Sequence, residues 1–340
     1  MNRKKMMPLI ILAAGVVLLA LLLAVLTLSQ SESQEQGIAL CSFPADDVDG
    51  ISYSGNNTEI SLLRGSEGDW LLESDPTLPL DQSVVGTLVE KLAGLTATRQ
   101  LQEDELAEIP AWSDTPLMVF TITSGDVTRT LTVDQANDVA DIYYVYDENS
   151  VAYTVTQSDV NVLCKTPKDL YKAQTLTDKT IDDVASMQVE SLAFVQNDGV
   201  WTLADDAEYP LDQDAVKKMA NTICGAQTDW AITSPEADST YGLDAPDVTA
   251  TLTFTDGSNL TVRFGSLVAD DETLCYVASS GAQTVVYEVS ADYKEAFAVT
   301  KETLYDETAT ADSAKEEEDT IVAEHPVGGK DDYADVAEQE

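Results

Sequence analysis

A single histidine in 340 residues, His325, removes most catalytic chemistry from consideration before any motif is read. A Ser-His-Asp or Cys-His arrangement needs an ordered imidazole to take the proton of the nucleophile, and His325 lies in an acidic C-terminal stretch poor in large apolar residues. The sequence also lacks G-x-S-x-G, S-x-x-K and H-E-x-x-H. Gly328-Gly329-Lys330 is followed by Asp and lacks the spaced first glycine of a phosphate cradle. Two carboxylates flanking a bond remain conceivable, but among 61 acidic residues any pair can be nominated, so the chain is read as non-catalytic.

Cations are scarce too. Eighteen Lys and Arg against 61 Asp and Glu give a formal charge of -43, a surface that repels phosphate backbones and excludes nucleic acid. No D-x-[DN]-x-[DN]-G loop is present to use the carboxylates for calcium. The four cysteines, Cys41, Cys164, Cys224 and Cys275, lie far apart without C-x-x-C or nearby histidine, which excludes the usual zinc and redox spacings. No metal and no cofactor is expected. Cys224, in an expected helix, reads as a small buried thiol.

At the N-terminus, Arg3, Lys4 and Lys5 precede an uninterrupted apolar run from about Pro8 to Leu28. At 1.5 Å rise per residue, about 20 residues span the hydrocarbon core as one helix. A cleavable signal has a shorter apolar region and a small-x-small exit, which Thr27-Leu28-Ser29-Gln30 matches poorly. Residues 1–29 are therefore expected to be a cytoplasmic basic tip and an uncleaved single transmembrane helix, with removal as a signal peptide the alternative. The basic residues place all that follows outside the cytoplasm. Residues 30–44 read as a polar stalk, and 301–340 as an acidic disordered tail.

Between these ends the chain repeats itself. WLLESDPTLPLDQ at 70–82 returns as WTLADDAEYPLDQ at 201–213. The match continues into a helix: Val85, Leu88, Val89 and Leu92 form an i, i+3, i+4, i+7 stripe, as do Val216, Met219, Ala220 and Ile223. Asp81 and Asp212 stand where an N-cap is wanted, and Gly94 and Gly225 suit a left-handed C-terminal stop. Trp70 and Trp201 are expected to anchor a strand on the helix.

After each helix come alternating segments: LMVFTIT, TRTLTV, DIYYVYDE and VAYTVT, then VTATLTFT, NLTVRF, TLCYVAS and TVVYEV. Ser124-Gly125-Asp126 and Asp256-Gly257-Ser258 mark hairpins between the first two of each set. Further strand pairs are expected around Ile51 to Arg64 and Met187 to Val195. The expected fold is α+β: two tandem repeats, at 45–165 and 183–300, each an antiparallel sheet packed by one helix. The connector at 166–182, with Leu170, Tyr171, Leu176 and Ile181, reads as partly helical and packed.

These residues resemble one family, the DUF4340 domain of the bacterial envelope. The likeness covers roughly residues 45–300. Its carriers are Gly199-Val200-Trp201, the PLDQ helix entry, the DLYKAQTLTDKTIDDVASM connector, and Tyr241-Gly242-Leu243-Asp244-Ala245-Pro246 before a strand and the Asp256-Gly257 turn. The first copy departs from the pattern at Ile109-Pro110-Ala111-Trp112-Ser113-Asp114-Thr115-Pro116, keeping only the closing proline. The resemblance implies a companion of ABC-type exporters, with permease and ATPase subunits as partners; a binder of envelope polymer is the alternative. Tyr241 and Asp244 are the candidate ligand-binding residues, with Gly242 and Pro246 shaping their turn.

Overall fold

The computed structural model describes residues 37–55, 57–109 and 111–308. The expected anchor, residues 30–36 of the expected stalk, His325 and residues 309–340 of the expected tail lie outside the described residues. Among the described residues no helix is long and apolar enough to cross a membrane.

The chain divides between Lys172 and Ala173 into two units, each built on an eight-stranded antiparallel sheet. In the first unit, β1 (Ile38–Ala39) pairs with β5 (Thr96–Ala97) as a small separate ribbon. The main sheet takes β2 (Gly50–Gly55), β3 (Thr58–Arg64), β4 (Trp70–Leu72), β6 (Arg99–Gln100), β7 (Met118–Ser124), β8 (Val127–Asn137), β9 (Ile142–Asp147) and β10 (Ala152–Thr156), in the order β4-β3-β2-β7-β8-β9-β10-β6. Helix α1 (Gln82–Ala93) follows β4.

The second unit repeats this with β11 (Val184–Val189), β12 (Leu192–Asn197), β13 (Val200–Leu203), α2 (Gln213–Gly225), β14 (Thr228–Ile232), β15 (Val248–Phe254), β16 (Asn259–Val268), β17 (Asp271–Ser279) and β18 (Val286–Ser290). Its order is β13-β12-β11-β15-β16-β17-β18-β14. Strand for strand the two sheets correspond.

Alternation in the strands decides which face is covered. Val248, Ala250, Leu252 and Phe254 of β15 join Val216, Met219, Ala220 and Ile223 of α2 in one buried cluster. Met118, Phe120 and Ile122 of β7 and the α1 stripe are buried at the corresponding positions. Each such Val, Leu, Ile or Phe taken out of water contributes roughly 1.5–3 kcal/mol, so the helix is held to the sheet by its stripe rather than by its own propensity.

The duplicated segment is the corner from edge strand to helix. The Asp81 carboxylate accepts from the N–H groups of Ser83 and Val84, and Asp212 from those of Asp214 and Ala215, as N-caps. The glutamine that follows does a job the sequence did not disclose. Its amide pairs with the outward backbone of the tryptophan: Trp70 N–H donates to Gln82 Oε1 at 2.7 Å, and Gln82 Nε2 donates to Trp70 O at 3.0 Å. Gln213 treats Trp201 identically, at 2.8 Å both ways. Edge strands β4 and β13 thereby have part of their open hydrogen-bonding side occupied. Trp70 and Trp201 are both buried, and the Arg64 guanidinium lies 5.1 Å from the Trp70 ring centroid.

Three expectations are corrected. Gly94 closes α1 with φ -100° and Gly225 is the last helical residue of α2, so neither adopts the left-handed stop; the α2 chain leaves through Ala226 in extended conformation. The connector at 166–182 is not one piece. Pro167–Leu170 forms a helical turn after which Leu170 and Tyr171 close the first unit, through Asp81 N–H to Leu170 O at 2.8 Å and Lys172 N–H to Pro79 O at 2.9 Å. Leu176 belongs to the core of the second unit. The tail, in turn, does not start at 301. Leu304 is fully buried in that core, Asp212 N–H donates to Leu304 O at 2.9 Å, and Asp306 N–H to Pro210 O at 2.8 Å. Leu-Tyr at 170–171 and at 304–305 are thus the same closing strap, written twice, pairing with Leu80 and Leu211 respectively. The acidic neighbours of the second strap hide it from composition.

Candidate functional site

The loop entering β15 is shaped by two close approaches. Gly242 has φ +69°, and a β-carbon there would lie 2.8 Å from Ser266 N. Gly265, on β16, faces the same loop; its β-carbon would lie 2.1 Å from Tyr241 O. Ser266 N–H donates to Tyr241 O at 2.9 Å, so the loop is bonded directly to the strand backbone. Arg263 donates to Leu243 O at 2.6 Å and to the Asp238 carboxylate at 2.8 Å.

This geometry separates the two candidate ligand residues. Tyr241 is turned inward, 6% exposed, edge-on to Tyr276 with ring centroids 5.0 Å apart, and its hydroxyl accepts from Glu236 N–H. Leu243 and Val286 complete that small apolar cluster. Asp244 is exposed and Pro246 half-buried. Tyr241 and Asp244 are not brought together, and Tyr241 acts as the plug of its own loop. The concave surface nearby, a depression of about 350 Å³, is lined by Asp238, Arg263, Thr261, Ser279, Ser280 and Gln283. Pro235, Ala278, Ala282, Val285 and Val286 complete its lining, so it is polar and apolar in about equal parts.

The first unit solves the same problem with other residues. In register, Asp134 of β8 stands where β16 has Gly265. The Asp134 carboxylate accepts from Ser113 N–H at 2.9 Å, while Gln135 Nε2 donates to Ala111 O at 3.2 Å. These bonds bracket Trp112, whose ring lies 5.0 Å from that of Tyr146 at 47°. Asp134 is 4% exposed and its second oxygen has no partner among the described residues. A second depression, about 250 Å³, lies over Gly50 on the sheet face away from α1, lined by Asp49, Ser52, Ser61, Leu63, Thr121 and Thr123.

Titratable groups are arranged for structure. Asp256, in the hairpin turn with Gly257 at φ +84°, is held well below the usual carboxylate range by its bonds to Lys179 Nζ and to Ser258. Cys41, Cys224 and Cys275 are pushed up to about 11 by burial, the opposite of an activated thiol. All four cysteines are free thiols. Among the described residues no three His, Cys, Asp or Glu side chains are grouped to hold a metal ion.

The family described as "Domain of unknown function (DUF4340)" matches residues 70–200 and again 201–320. The two matches begin at Trp70 and Trp201, one repeat apart, and so enter each sheet at its edge strand β4 or β13. No curated protein and no solved structure matches the chain.

Proposed function

The chain belongs to the DUF4340 family, in two tandem copies, and on that premise we propose that it is a membrane-anchored, extracytoplasmic binding or scaffold protein, non-catalytic and without cofactor, that accompanies an ABC-type export system. The observation that carries the reading is the apolar run from Pro8 to Leu28 behind Arg3, Lys4 and Lys5, directly ahead of a duplicated module. Such a run tethers the modules to the outer surface of the membrane, where permease subunits present their extracytoplasmic loops. The modules suit a scaffold: their ionisable groups cap helices and pin turns, and the candidate residue Tyr241 is used internally. A second reading, binding of envelope polymer, is favoured by the depression on the first sheet, where Ser52, Ser61, Thr121 and Thr123 stand beside Leu63 and Asp49.

The test is an affinity pull-down of the intact chain from native membranes in mild detergent, read by mass spectrometry, with a version starting at residue 30 as control. Stoichiometric recovery of permease and ATPase subunits by the intact chain is expected. Recovery of the chain alone would remove the exporter reading and leave polymer binding.

A further inference from the structure

We infer that the open face of the first sheet, from the depression over Gly50 to the Trp112–Tyr146 ledge, binds a neutral glycan chain. The inference rests on the second reading above and does not depend on the exporter partner.

The strand register assembles this face. Phe120, Ile122, Leu131 and Val145 are buried on the core side, so their sequence neighbours point the other way. Ser61, Ser52, Thr121 and Thr130 then fall in one row across β3, β2, β7 and β8. The next row runs from Glu59 on β3 through Ser54, Val119 and the buried Thr132 to Tyr146 on β9. Four strands at about 4.8 Å spacing make a strip roughly 14 Å long. That suits several sugar rings rather than one. Ser61 Oγ donates to the Glu73 carboxylate at 2.6 Å, whereas the threonine hydroxyls are only loosely committed to each other: Thr121 to Thr130 is 3.4 Å and Thr123 to Thr128 is 3.3 Å, longer than the usual O–H···O bond of about 2.8 Å.

The chemistry of this strip selects its occupant. Hydroxyls both donate and accept, matching sugar hydroxyls; the row from Ser61 to Thr130 carries no charged side chain of its own, and the groups at its margins, Asp49 in the depression, Glu73 on Ser61 and Glu148 on Thr130 N–H, are carboxylates that accept from hydroxyls and repel anions. An anionic polymer would meet a chain of formal charge -43 with no cation in the strip to offset it. A neutral polymer meets no such repulsion. At the far end the half-buried Trp112 and Tyr146 rings offer the apolar ledge on which the C–H face of a sugar ring stacks.

Divergence between the copies points the same way. In the second unit Gly265 lets the loop close on the strand, and the aromatic plug Tyr241 is buried. In the first, Asp134 replaces that close approach with a side-chain clamp that presents Trp112 from both flanks. The clamp leaves one buried carboxylate oxygen without a partner among the described residues, and a buried acceptor left unpaired is destabilising. A core built for stability alone has no use for that cost; a held aromatic ledge does.

The experiment is calorimetric titration of the detergent-solubilised full chain with two neutral hexamers, β-1,4-linked glucose and β-1,4-linked N-acetylglucosamine, and with an anionic hyaluronan fragment of similar length. Saturable binding of a neutral hexamer and none of hyaluronan is expected. Trp112→Ala should weaken it about tenfold or more, as for an aromatic anchor, while Trp112→Phe keeps it within about threefold. Thr121→Val, which keeps the β-branched shape, should weaken it several-fold, with far-UV circular dichroism unchanged in all three variants. Absence of saturable neutral binding, equal affinity in Trp112→Ala and Trp112→Phe, or preference for hyaluronan would each overturn the inference. The pull-down reports on the exporter reading separately, because recovery of transporter subunits does not require the Trp112 ledge.

Discussion

At Gly265 an added methyl would meet the backbone of Tyr241 at 2.1 Å, whereas at Gly257 nothing lies within 4 Å although φ is +84°. The two glycines therefore separate steric exclusion from backbone strain. Gly265→Ala should destabilise the second unit by about 3 kcal/mol or more, and Gly257→Ala by only about 1 kcal/mol, read as urea midpoints. Comparable losses would mean that the loop does not close on the strand. Asp-Gly at 256–257 was legible because a turn signal is local; Gly265 sits in an ordinary strand and reveals itself only against residue 241. The buried thiols give a second residue-scale expectation. Their folded values near 11 exceed the ordinary one, so between about pH 9 and 11 the folded chain holds protons that the unfolded chain releases. Stability must fall as pH rises through that window. For Cys275, fully buried, the ceiling is about 3 kcal/mol, and Cys275→Ala should flatten the decline between pH 8 and 10.5 in denaturant titrations. An unchanged slope in Cys275→Ala would show that other groups carry it.

The element that the sequence concealed most completely is the strap. Helices α1 and α2 and the strands β7 to β10 and β15 to β18 were readable because period and alternation repeat over five or more residues, while β14, Thr228–Ile232, was missed. Leu304 and Tyr305 stand in an acidic run with no period, and β6 and β5, two residues each, have none to show. Leu304→Ala removes a side chain with no exposure and should cost roughly 2–5 kcal/mol, as should Leu170→Ala in the first unit. A chain ending at residue 300 should lower the unfolding temperature of the second unit while leaving that of the first in place. If Leu304→Ala is silent, the strap rests on the surface and the equivalence with Leu170 fails.

Whole modules behave as the straps dictate. Each unit has its own eight-stranded sheet, helix, cap and strap, with the chain division between Lys172 and Ala173. Residues 37–172 and 173–308, expressed apart, should each fold and unfold cooperatively, seen as two-state urea transitions with native-like circular dichroism. Fragments cut instead at the family boundary, 70–200 and 201–320, should fold poorly: the first loses β2 and β3, and the second loses β11 and β12. Success of the family-boundary fragments would refute the division. The duplicated unit was legible at this scale; where one copy hands over to the next was not, since a repeat has a period but no marked origin.

Local physics let the sequence determine the repeat, the Asp81 and Asp212 caps, the antiparallel α+β order and the burial of Trp70 and Trp201, because caps, turns and stripes are settled within a few residues. Tertiary structure alone decided that Gln82 and Gln213 cover strand edges, that Tyr241 turns inward while Trp112 is presented on a ledge, and that a leucine 92 residues after Asp212 (304 - 212) closes the second core. Each of those depends on two segments meeting in space, and nothing in either segment by itself carries the address of the other.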